Sequence, residues 1–260
     1  MSAPRIQCWN IYSGVTVKAV NYCGIIVGGP GCGKTTLARS LIAEHVQQSN
    51  GGIVLAHDPV RQFVADGAQW YDDASAWRRA MVEAAEQKRP VARVSSIGGS
   101  AQAITALALE IGDRCRNTAV SVNVRIKLVF DEASLHDERT YISDVNNELI
   151  ATRRHRGVEP LFLCQRPGQL VTAFWEMCSD AYVFKLREKH VSKLADALDV
   201  DESAVAPAMR LAPFTFIHLR QGESPAQSPG SSRDRVALHS REAREEHVAA
   251  DEQMQLPEVV

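Results

Sequence analysis

The octapeptide Gly28-Gly29-Pro30-Gly31-Cys32-Gly33-Lys34-Thr35 limits what this chain can fold into more than any other stretch of it. It fits G-x-x-x-x-G-K-[ST], a pattern that chance places in on the order of one in a hundred chains of this length. An apolar run, Tyr22-Cys23-Gly24-Ile25-Ile26-Val27, precedes it, and Thr36 to His45 follows with Leu37, Leu41 and Ile42 at helical spacing. Strand, glycine loop and helix in that order make a cradle whose backbone N–H groups turn inward around phosphate oxygens, with the field of the helix N-terminus behind them. Gly29, Pro30, Gly31, Cys32, Gly33, Lys34, Thr35 and Thr36 are the expected nucleotide-binding residues, with Lys34 reaching the β and γ phosphates and Thr35 offering its hydroxyl to a metal. ATP and Mg²⁺ are the implied ligands. Cys32 holds a variable position in such loops and receives no redox role.

Beyond the loop, strand and helix patterns alternate. Ile53 to Ala56 reads as a buried strand ending at His57-Asp58-Pro59. The spacing predicts helices over 74–88 and 101–116, and strands at 91–95, 126–130, 161–164 and 181–186. That alternation predicts an α/β fold of three layers, a mostly parallel central sheet covered on both faces. From about Gly222 the composition shifts to Ser, Pro, Gln and Gly and then to charge, which buries too little apolar surface to offset ordering entropy. The expected division is a P-loop domain over 1–221 and a polar tail over 222–260.

Net charge is −2 over 260 residues, so any nucleic-acid site has to be local rather than a basic coat. No loop stands out by sequence as a basic grip. The six cysteines lie far apart without C-x-x-C pairs, which argues for reduced thiols rather than a disulfide framework or zinc. No signal-like segment and no membrane-length apolar run is present, so the chain reads as cytoplasmic.

The strand Leu128-Val129-Phe130 ends in Asp131-Glu132, and two carboxylates capping a buried strand are costly unless used. Asp131 is the candidate for the Mg²⁺ shell and Glu132 for the base that orients and deprotonates water. A kinase has to keep water from the γ-phosphate, so an adjacent Glu favours hydrolysis. Leu161-Phe162-Leu163-Cys164 ends in Gln165-Arg166-Pro167, where Gln165 is placed to bridge γ-phosphate and water, or forms an ordinary turn. Arg153-Arg154-His155-Arg156 before that strand reads three ways: a solvated helix end, an arginine finger for a neighbouring subunit, or a phosphate-backbone contact.

Together these residues resemble the FtsK/HerA superfamily of ring-forming DNA-pumping ATPases, especially its compact viral genome-packaging branch. The likeness rests on the P-loop, on Ala56-His57-Asp58-Pro59 with Phe63 beyond, on Asp131-Glu132, and on Arg154-His155-Arg156-Gly157 through Gln165-Arg166-Pro167. It spans about residues 20–220. It implies a P-loop NTPase fold of the RecA-like, additional-strand catalytic-glutamate type. It also implies Glu132 as catalytic base, Gln165 as sensor and Arg154 as the family arginine, with Arg153 and Arg156 as substitutes. Only a short stretch precedes the P-loop strand, so the N-terminal barrel of cellular relatives is not expected. The implied function is an ATP-driven double-stranded DNA translocase that packages a viral genome. Such a motor is a homo-oligomeric ring, pentamer or hexamer, with a portal or capsid protein as a further partner. A nucleotide-controlled switch acting on a protein without DNA is the alternative, and a nucleotide kinase is disfavoured by Glu132.

Overall fold

The computed structural model describes residues 7–10, 22–48, 52–87, 92–117, 125–132 and 142–220. The expected tail, 222–260, lies outside them. The elements run β1 (Gln7–Asn10), β2 (Gly24–Val27), α1 (Lys34–Gln48), β3 (Ile53–His57), β4 (Gln69–Tyr71), α2 (Ala74–Glu86), β5 (Val94–Ile97), α3 (Ala101–Asn117) and β6 (Ile126–Phe130). They continue with α4 (Asp144–Arg156), β7 (Val158–Cys164), α5 (Thr172–Glu176), β8 (Asp180–Val183), α6 (Val191–Leu198), α7 (Glu202–Val205) and β9 (Thr215–Arg220). Among the described residues no helix is long and apolar enough to cross a membrane.

The strands form one sheet in the order β1-β9-β8-β2-β7-β6-β3-β5-β4. From β8 to β4 all neighbours are parallel, and β9 turns antiparallel against β8, as β1 does against β9. One strand, β7, is inserted between β2, which leads into the glycine loop, and β6, which ends at the acids. This is the three-layer P-loop fold expected, with the additional strand in place.

Side-chain alternation sorts the core. On one face Ile25, Val27, Leu128, Phe130, Phe162 and Cys164 meet α2 to α6 through residues such as Trp77, Ile104, Leu149, Phe174 and Leu194. On the other, Ile26, Val129, Leu161 and Leu163 meet Leu37, Ala38, Leu41 and Ile42 of α1. Phe162 stacks on Phe130 at 4.9 Å between centroids and touches Phe174 at 4.5 Å, which fixes β7 against β6. Strands buried on both faces read as continuous apolar runs, which is why these were visible in sequence.

The differences from expectation have local causes. β5 begins at Val94 rather than Val91, and β8 ends at Val183, after which Phe184 still donates its N–H to Val27 O. β7 starts at Val158, ahead of the expected Leu161. That extension holds Pro160, which pairs with Leu128 of β6, while pairing with β2 begins only at Leu161. Where it lies the strand has a single neighbour, as at a sheet edge, the setting in which a strand proline is tolerated.

Candidate active site

The glycine loop connects β2 to α1, whose first residue is Lys34 and whose first turn closes with Leu37 N–H donating to Gly33 O at 3.0 Å. Gly31 and Gly33 hold φ of +69° and +106°, the left-handed region that lets successive amides face one side. Gly28 tolerates nothing larger, since a Cβ there would stand 2.5 Å from Phe184 Cβ. Its N–H donates to Cys164 O at 3.2 Å, tying the loop to β7. Lys34 Nζ donates to the carbonyls of Gly28 and Gly29 at 2.9 and 3.0 Å, arched over the loop it is expected to serve. Burial pushes the Cys32 thiol up, which keeps it protonated.

The acids lie one strand beyond. Asp131 is buried and donates its N–H to His57 O at 3.1 Å. Burial first, then the charges of Asp58 and Glu132, push its carboxyl from 3.8 up to about 6, against a smaller opposing pull from Lys34 and Arg39. Glu132 has φ of +60°, a costly backbone for a non-glycine residue, and this turns its side chain away from the strand direction. Gln165 Nε2 donates to Glu132 Oε2 at 2.9 Å. Because β7 lies between β2 and β6, this pair sits beside the glycine loop, and the residues read as base and sensor are in direct contact.

Among the described residues no group of three or more His, Cys, Asp and Glu side chains converges as a self-sufficient metal cage. Mg²⁺ does not need one here. It takes one or two protein oxygens and completes its octahedron with phosphate oxygens and water, so the Thr35 hydroxyl and the Asp131 carboxylate suit it. The mutual repulsion of Asp58, Asp131 and Glu132 is also what a divalent cation relieves, so the residues fit the ion.

Asp58 explains the His57-Asp58-Pro59 turn. Fully buried, it accepts from the N–H groups of Gln62 and Phe63 and from Ser96 Oγ, each at 2.8 Å. The turn thus held brings Gln62 Oε1 to the Thr35 hydroxyl at 3.0 Å. Arg39 grips the same segment through Gln62 O at 3.1 Å and Asp66 at 2.6 Å. Sequence reasoning missed Gln62, which no spacing rule marks.

The three arginines separate cleanly. They fill the last turn of α4, where cations suit the helix dipole, and the helix stops at Gly157 with φ of 67°. Arg153 is buried and donates to Tyr22 O and Met177 O at 3.3 and 3.1 Å. Arg156 is ion-paired with Asp113 at 2.9 Å and Glu148 at 2.7 Å. Both side chains are thus engaged within the chain, which favours Arg154 over them as the family arginine. Arg154 is exposed and has no ion pair among the described residues. It precedes β7, at the sheet edge opposite the glycine loop, so the structure does not bring it to Glu132 and Gln165.

Two further features escaped the sequence. Phe214 is 43% exposed, has φ of +60° and donates its N–H to Cys32 O at 3.2 Å, which puts an aromatic ring on the β8–β9 side of the loop, away from the acids. A basic group, Lys185, Arg187, Lys189, His190 and Lys193 with Arg166, gathers on the same sheet edge, although no loop stood out by sequence as a basic grip.

Fold and site together define a P-loop NTPase-type domain with the additional strand. No family model and no curated protein matches the chain. Among solved structures it is similar to the genome packaging NTPase B204 from Sulfolobus turreted icosahedral virus 2 in complex with AMP. The two are 13% identical with a TM-score of 0.61, over 82% of this chain and 98% of that one. The ATP-γS complex of the same NTPase gives 14% identity and a TM-score of 0.58, over 78% and 98%. The pCW3 conjugation coupling protein TcpA with ATPγS gives 12% and 0.54, over 85% of this chain and 64% of that one.

Proposed function

We propose that the protein is a Mg²⁺-dependent ATPase that translocates double-stranded DNA, packaging a viral genome as a homo-oligomeric ring of five or six subunits. The observation that carries hydrolysis is the 2.9 Å contact between Gln165 and Glu132 beside the glycine loop. Lys34 would leave the Gly28 and Gly29 carbonyls for the β and γ phosphates, and the amides of Gly29 to Thr36 would line the oxygens. Glu132 would accept the proton of a water held between its carboxylate and the γ-phosphate, with Gln165 fixing the carboxylate's direction. Mg²⁺ held by Thr35 and Asp131 would draw off charge building on the transferring phosphoryl group. With the γ end at the acids, the base end would point toward the β8–β9 side, where the exposed Phe214 would offer a stacking face.

Translocation rests on different support. The structures this chain resembles include a genome packaging NTPase and a conjugation coupling protein. The exposed position of Arg154 on the far edge supports a role at a neighbour's nucleotide rather than its own, as a ring would require. A portal or capsid protein would then receive the motor. The test is ATP turnover at low salt with and without linear duplexes of unrelated sequence. Stimulation by every duplex is expected. Turnover indifferent to DNA, with or without a portal or capsid partner, would overturn the translocase reading in favour of a switch acting on protein.

A further inference from the structure

The basic group has its own architecture. Phe184 is tied to the end of β2 through Val27 O, and Lys185 follows it directly, so the segment leaves the sheet at the same edge as the glycine loop. Leu186 anchors it by donating its N–H to Ala208 O at 3.2 Å. A 3-10 turn, Glu188–His190, closed by His190 N–H to Arg187 O at 2.9 Å, runs without a break into α6. Val191, Leu194, Ala195 and Leu198 point α6 inward, leaving Lys193 outward. The helix packs against a second 3-10 turn, Pro167–Gln169, which follows Arg166.

Arg166, Lys185, Arg187, Lys189 and Lys193 are all exposed, and none is ion-paired with a carboxylate among the described residues. Glu188 is the one acid between residues 185 and 193. The field is felt within the group: after burial, the charges of Lys189, Arg166, Lys193 and Arg187 hold the His190 imidazole below its ordinary value. In a chain of net charge −2 such unpaired concentration is unfavourable by itself, and a partner of opposite charge relieves it. Among the described residues the large exposed apolar side chains are Val60, Val82 and Phe214, none of them between residues 185 and 193, so the segment itself offers no large apolar anchor of the kind protein and membrane contacts use. Exposed lysine and arginine side chains spread over a segment suit a repeating row of phosphates rather than one enclosed anion.

We propose that this face grips the phosphate backbone of double-stranded DNA, and that Arg166, joined to Gln165 by one peptide bond, is the positioning residue through which a bound duplex acts on the hydrolytic pair. This deepens the proposed function and rests on its DNA assignment.

The test uses the full chain with Arg187→Gln, Lys189→Gln and Lys193→Gln combined, and with Arg166→Gln alone. Binding of labelled duplexes of unrelated sequence is followed by anisotropy between about 50 and 200 mM salt. The triple variant should lose at least about tenfold in affinity at low salt, and its log–log salt slope should flatten by up to about 2.7, roughly 0.9 per phosphate contact removed. Its DNA-free ATPase should stay at the wild-type rate, a control that also reports folding. Arg166→Gln should lower the ratio of DNA-stimulated to DNA-free turnover, with Arg166→Lys restoring part of it. Wild-type binding that the triple variant reproduces in affinity and slope would overturn the grip and leave the translocase reading intact. A wild type that neither binds nor responds to duplex would sink both. Poly-glutamate binding as tightly as duplex would also overturn the proposal, since the face would then recognise acid of any kind.

Discussion

Replacing Asp131 with Asn should stabilise the nucleotide-free protein while disabling it. The carboxyl is pushed from 3.8 to about 6 by burial and by the charges of Asp58 and Glu132. The folded chain therefore holds the proton more tightly than the unfolded chain. Below pH 3.8 the group is neutral in both states and costs nothing. As pH rises from 3.8 to 6 the unfolded chain ionises first, stability falls, and the whole cost is present above 6. That displacement corresponds to about 3 kcal/mol at pH 7.5 and about 1 kcal/mol at pH 4.5. Asn keeps the shape without the charge, so Asp131→Asn should gain between about 1 and 3 kcal/mol at pH 7.5, a rise of roughly 3–10 °C in melting temperature for a domain of this size. Urea unfolding of both proteins without nucleotide, at the two pH values, measures it. A gain of equal size at both would show that ionisation is not the cause, and no gain at pH 7.5 would refute the reasoning outright. In the same samples Mg²⁺ with ATP should stabilise the wild type by mass action and the variant far less.

Glu132→Gln should retain ATP binding and slow hydrolysis by at least about a hundredfold, the usual worth of a positioned base, as measured by phosphate release. Arg153→Ala should cost roughly 3 kcal/mol in urea unfolding because it strips one buried and one part-buried carbonyl of their donor and opens a cavity, whereas Arg154→Ala should stay within about 0.5 kcal/mol. Mixing Arg154→Ala with Glu132→Gln subunits should recover part of the turnover that each lacks alone; no recovery in rings shown to be mixed would count against a trans finger. Phe214→Ala should weaken ATP binding about tenfold yet leave inorganic triphosphate binding unchanged, since stacking acts on the base alone.

What was legible in the sequence was local or doubly buried. The glycine loop is contiguous, and β2, β6 and β7 are apolar runs because both faces of their sheet are covered. Strand tips then exposed Asp131, Glu132 and Gln165 as polar residues where buried chain ends. β4 is three residues long and β9 carries Thr215, His218 and Arg220, so neither offered such a run. Helical geometry decided among the arginines: a turn of about 100° per residue sends Arg153 into the core, Arg154 to solvent and Arg156 toward Asp113 on α3. Adjacent positions in a basic run carry no mark of which way each will face. The basic group escaped for another reason, since Arg166 lies on the far side of α5 and β8 from Lys185 and joins the group only when α6 packs on the turn after it.

The placement of β7 bears on why one subunit of the proposed motor would be an incomplete enzyme. Arg154 stands before its foot and Gln165 beyond its tip, and seven strand residues at about 3.3 Å each separate the ends by more than 20 Å. An extended arginine side chain cannot span that distance, and the strand cannot shorten it, being hydrogen-bonded to β2 and β6 and buried along its length. Arg154 therefore cannot neutralise charge at its own subunit's γ-phosphate in any arrangement that keeps the sheet. If it serves hydrolysis, it does so at the site of a second copy, and the strand that holds sensor and finger apart in one chain becomes the element that obliges two chains to meet head to tail. Such an interface repeats around a ring or along a filament rather than closing as a two-fold pair, which is the form of assembly a DNA translocase needs.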